Sequence, residues 1–132
     1  MDEALETIDA PRMGFSALST WRPIFQVLPL ACELLWEPLN STALFRFLSH
    51  SMGPIPLQHR QELAKTASRV PGIGSEAWQR AIERCLEKEK EKDRKQFEDN
   101  LRYWLESPLH SPQVGVDSTT LSQRAQRVAD WL

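Results

Sequence analysis

The sequence predicts an all-α fold of five to six helices in a single domain spanning residues 1–132. Three observations carry this expectation. Apolar residues return at steps of three and four over most of the chain, the period of a helix face. Prolines and glycines gather in short clusters that cut this pattern into helix-length pieces: MGPIP (52–56), PGIG (71–74) and SPLHSPQVG (107–115). Only Arg12-Met13-Gly14-Phe15 reads as extended, a candidate for one very short strand.

The first helix is short, residues 2–8 (DEALETI), with Leu5 and Ile8 on one face and Pro11 as its breaker. The next opens after Ser19 or Thr20 as cap, with Pro23 in the first turn, where a missing N–H is harmless. Pro29 lies inside it and predicts a kink; Pro38 ends it. From Trp21 to Trp36 only Arg22, Gln26, Glu33 and the prolines interrupt the apolar run. A helix apolar nearly all round has to be covered on most sides. This helix and the following one, Thr42 to His50 behind a cap at Asn40 or Ser41, are therefore expected at the centre. Trp36, Trp78 and Trp104 fall in step with apolar stripes and are expected in the core rather than as base-stacking platforms.

MGPIP predicts a rigid turn, and a helix follows from Leu57 to Arg69 with Leu63, Ala67 and Val70 as its apolar positions. In PGIG two glycines are available for positive φ, and Ser75 caps what comes next. There, Trp78, Ile82, Cys85 and Leu86 make one apolar stripe, and Phe97, Leu101, Trp104 and Leu105 make another. EKEKEKDRK (87–95) lies between them without an apolar residue. No glycine or proline falls between Ser75 and Glu106, which predicts one long charged helix; a helical hairpin with a charged junction is the alternative. The last helix, Thr119 to Leu132 behind Asp117 or Ser118, has Leu121, Ala125, Val128 and Leu132 as its expected core stripe. Helical pattern runs up to both ends of the chain, so an internal segment of a longer protein is expected.

Apolar residues make up 41% and charged residues 26%, the balance of a soluble globular protein. No basic, apolar leader opens the chain, and its longest apolar run is broken by Pro29, Glu33 and Pro38, so neither export nor a membrane span is expected. Cys32 and Cys85 sit among apolar neighbours, which predicts buried free thiols and a reducing, cytoplasmic setting. His50, His59 and His110 lie in different elements, and neither cysteine has a partner at metal-ligand spacing. GIG (72–74) lacks the Gly-Lys-Ser/Thr ending of a phosphate loop. No cofactor, metal or catalytic residue is therefore assigned, and no small-molecule substrate.

A net charge of −2 gives the whole chain no attraction for phosphate, so nucleic-acid binding needs a local basic face. The candidate backbone contacts are His59, Arg60, Lys65 and Arg69 on one helix and Arg124 and Arg127 on the last. A solvated face is the simpler account of both groups, and of the charged run 87–95.

The order of these signals resembles one stretch of the helicase-like B subunit of bacterial AddAB-type helicase–nucleases, inactivated superfamily I helicases that end in a PD-(D/E)XK nuclease. The residues that carry the resemblance are DEALE (2–6), STWRPIFQVLPLACELLWEPL (19–39), ALFRFLSHSMGPIP (43–56), RVPGIGSEAW (69–78), YWLESP (103–108) and LSQRAQRVADWL (121–132). It implies a helical part of the helicase-like second domain, which helps to frame the DNA channel of a complex that resects double-strand breaks. The nucleotide-binding motifs would then lie upstream and the nuclease motifs downstream, so no catalytic residue is carried over. The implied partners are DNA, through the parent assembly, and a partner subunit. The competing class is a stand-alone helical protein–protein interaction module unrelated to DNA.

Overall fold

A computed structural model describes residues 22–132. Its described part is all-helical: α1 (Pro23–Glu33), α2 (Ser41–Ser49), α3 (Leu57–Arg69), α4 (Glu76–Glu87), α5 (Glu91–Leu105) and α6 (Ser118–Trp131). The expected helix at 2–8 and the strand candidate at 12–15 lie outside the described residues. No helix among the described residues is long and apolar enough to cross a membrane.

Local chemistry sets most helix starts. The Asn40 Oδ1 accepts from the N–H groups of Thr42 (2.9 Å) and Ala43 (3.3 Å), and the Ser75 Oγ accepts from the N–H of Trp78 (3.1 Å). Each such cap is worth about 1 kcal/mol. Asp117 caps α6 in the same way through the N–H of Thr120 (2.8 Å). Hydrogen bonds from the Thr120 hydroxyl and N–H hold its carboxyl below the usual range. Pro23 stands at the start of α1, and Pro29 is accommodated inside it. Gly72 (φ 104°) and Gly74 (φ 99°) take the left-handed conformations that turn α3 into α4.

α2 packs on α1 and α3, α3 on α4, and α6 on α1. Val27, Leu30, Ala31 and Leu34 from the first segment join Leu44, Phe47 and Leu48 of α2 in the core, and Leu35 is buried as well. Around them sit Leu63, Trp78, Cys85, Leu101 and Trp104, so both apolar stripes of the 75–106 region reach the core. The central position expected for this part of the chain holds, with Leu28 half-buried at its edge.

Four expectations are corrected. The 75–106 region is two helices, because the chain leaves the helix at Lys88 and re-enters after Lys90, whose ψ of 142° is extended. On a single straight helix the two apolar stripes would point roughly 100° apart, so one core could not take both. The break is held without glycine or proline: Arg94 Nε donates to the Leu86 carbonyl (3.2 Å) and Glu89 turns onto His59 (2.6 Å). Second, the buried face of α6 is Arg124 and Val128 with Trp131 packed beside them; Leu121 (39% exposed) and Leu132 (63%) face out. Third, Trp36 is exposed. α1 ends at Glu33, so Leu34 and Leu35 take the inward positions and Trp36 pairs through its backbone with the 107–117 loop at His110. Fourth, the coverage expected on most sides fails for α2, where five of nine residues are exposed, Phe45 among them, and is incomplete on α1, where Phe25 is exposed.

Candidate nucleic-acid interface

The six basic candidates divide by burial. Arg124 is 2% exposed and its guanidinium is spent on the ends of two other helices. Its Nε donates to the Ala31 carbonyl of α1 (3.1 Å), Nη2 to Trp104 O (3.1 Å), and Nη1 to Tyr103 O (3.2 Å) and Ser107 Oγ (3.1 Å). The last carbonyls of a helix have no partner within it, and Arg124 supplies donors to three of them at once. The Tyr103 and Trp104 rings lie 5.2 Å from its guanidinium carbon. Burial pulls its pKa down from the ordinary arginine value.

Arg60 plays the same part for the proline loop. Nε donates to Ile55 O (2.8 Å), Nη1 to His50 O and Nη2 to Ser51 O (3.5 Å). Gly53 makes room for it: a Cβ there would stand 3.3 Å from Arg60 Nη1. His59 is fully buried, with Nε2 2.6 Å from Glu89 Oε1 and its ring 4.5 Å from that of Phe97. These three side chains cannot reach a phosphate. Arg127 is exposed but stacks on Tyr103, 3.8 Å from the ring centroid.

Lys65 and Arg69 remain, and the fold gives them new neighbours. The tight turn at Gly72 and Gly74 lays α4 against α3, and Lys65 and Arg69 then share a groove of about 320 Å³ with Arg80 and Arg84. Lys65 and Arg69 have no acidic partner among the described residues. Arg84 pairs with Glu62 through Nε (2.9 Å) and Nη2 (2.8 Å), and Arg80 pairs with Glu76 one turn away. The hydrogen bond from Arg84 holds the Glu62 carboxyl below its usual range, and the charges of Arg84, Lys88 and Lys65 act in the same direction against a desolvation that raises it.

Arg80 and Arg84 were not among the sequence candidates. Their signal was present: they stand at i, i+4 just after the PGIG turn, as Lys65 and Arg69 stand at i, i+4 just before it. Two such pairs flanking a two-glycine turn meet when the turn closes. The groove can hold anionic oxygens by charge and guanidinium hydrogen bonds. Its apolar lining is Val70 and Ala77, with no aromatic ring, so it has no platform for base stacking. No group of three or more His, Cys, Asp or Glu side chains that could hold a metal ion occurs among the described residues. Comparison with family models, with curated proteins and with solved structures finds no match for this chain.

Proposed function

We propose that this chain is a helical scaffold segment of a helicase-like assembly acting on DNA breaks, and that it meets the nucleic-acid backbone through the α3–α4 groove. Catalysis in such an assembly belongs to its other domains. The observation that carries the proposal is the convergence of Lys65, Arg69, Arg80 and Arg84 on one groove of a chain whose net charge is −2. The resemblance to AddAB-type B subunits supplies the DNA context.

The groove has no stacking ring and no deep polar pocket, so it reads charge and not sequence. Two of its four cations are already paired with glutamates, so affinity for a lone strand is weak. Titration of a fluorescent single strand and a blunt duplex at two salt concentrations tests this. Two to four phosphate contacts give a log–log salt slope of about −2 to −4 on duplex. Lys65→Glu with Arg69→Glu and Arg80→Glu abolishes the binding, and reversal of Lys90 and Lys92 leaves it unchanged. Tight, salt-insensitive or sequence-selective binding, or indifference to the groove variants, refutes the proposal.

A further inference from the structure

A second groove, of about 800 Å³, runs between the proline loop, α5 and α6. Its apolar side is Pro54 and Pro56 of the loop, Phe97 and Trp104 of α5 and Trp131 of α6. Asp93, Asp99 and Asp130 line it as well, against one lining cation among the described residues, Arg127, which is stacked on Tyr103. Asp130 accepts from Gln126 Nε2 (2.8 Å), while the carboxylates of Asp93 and Asp99 have no partner among the described residues. The loop and α5 walls are tied together in advance. Asn100 Nδ2 donates to Pro54 O (3.4 Å), and its Oδ1 accepts from Trp104 Nε1 (2.9 Å). A groove fixed before its ligand arrives loses less entropy on binding.

We infer that this groove docks a cationic amphipathic segment of another protein, one that sets an apolar side chain against Pro54, Pro56 and Trp131 and lysines or arginines against Asp93, Asp99 and Asp130. Charge complementarity selects this occupant. The three carboxylates repel nucleic acid. They also repel residues 1–21 of the same chain, where Asp2, Glu3, Glu6 and Asp9 stand against Arg12 alone. The proposal is independent of the α3–α4 groove, with which it shares no residue.

Calorimetric titration of the whole chain tests it with three probes: a helical peptide with leucines on one face and lysines on the other, the same peptide with glutamate for lysine, and a lysine homopolymer of equal length. The lysine–leucine peptide binds and the other two do not. Asp99→Lys with Asp130→Lys weakens it about tenfold, Trp131→Ala weakens it with the charges intact, and Glu83→Lys with Glu87→Lys, outside the groove, changes nothing. Circular dichroism verifies the fold of each variant; if the double reversal unfolds, Trp131→Ala and Asp99→Asn decide. Equal binding of the homopolymer or of the glutamate peptide, indifference to the groove variants, or self-association of the chain blocked by them overturns the inference.

Discussion

Arg124 and Arg127 are three residues apart on α6, and their fates are opposite. Arg124 is sealed among the Ala31, Tyr103 and Trp104 carbonyls, whereas Arg127 lies in the open across the face of Tyr103. The same division separates Arg60, inside the proline loop, from Lys65 and Arg69 further along α3. A guanidinium is buried where helix ends or a loop leave carbonyls without donors, because its planar fork can serve several at once. It stays outside where no such carbonyls are left open. Basic residues in this protein are thus of two kinds, struts and contacts, and only the second kind can act on a partner.

The sharpest way to break that division is Arg124→Met. It leaves the Ala31 and Trp104 carbonyls without their donor and takes one of two donors from the Tyr103 carbonyl, which keeps the Ser107 hydroxyl, at about 1–3 kcal/mol for each unsatisfied group. Partial relaxation brings the expected loss to about 3–5 kcal/mol in urea denaturation, while Arg127→Met stays within about 0.5 kcal/mol. Equal losses would erase the distinction. Arg60→Met is expected to cost about 2–4 kcal/mol by the same mechanism, confined to the 50–56 loop. Gly53→Ala should cost less than that, since the added Cβ would stand 3.3 Å from Arg60 Nη1 and asks for a shift of a few tenths of an ångström and not for the loss of its hydrogen bonds.

Cys85 extends the comparison to an uncharged group. Burial pushes its thiol from 9.0 up to about 11. The unfolded chain gives up this proton near pH 9 and the folded protein keeps it to about 11. The thiol's contribution is therefore whole below pH 9 and is lost as pH rises toward 11, about 2–3 kcal/mol in all. Denaturation of the wild type and of Cys85→Ala across this window measures the term as the difference in pH dependence. Parallel curves would show that the thiol is not sealed. The smallest expected effect on stability is at Lys65 and Arg69. Reversal of either to Glu should stay within about 0.5 kcal/mol, so that a change in DNA binding reads the groove and not the fold. A larger loss would make these residues struts as well.

Much of the architecture was legible because it is locally written. Asn40, Ser75 and Asp117 accept from N–H groups two or three residues ahead, and Gly72 and Gly74 need no distant partner to turn the chain. Less of the candidate site was legible. Lys65 and Arg69 could be picked out, but His59 and Arg60 on the same helix looked equally basic and are buried. Arg80 and Arg84 gain their meaning only when the PGIG turn folds α4 onto α3.

By itself, then, the sequence determined the helical class, the cap at Ser75 and those near Asn40 and Asp117, the turn at Gly72 and Gly74, and an apolar centre within Trp21 to Leu48, since each depends on residues a few positions apart. The tertiary structure alone decided the break at Lys88–Lys90, the rotation of α6 onto Arg124 and Val128, and the exposure of Trp36. The break follows from two stripes that must reach one core, and the rotation from carbonyls at the ends of α1 and α5 that Arg124 satisfies from ninety-three and about twenty positions away in the chain. No local period records a hydrogen bond of that range.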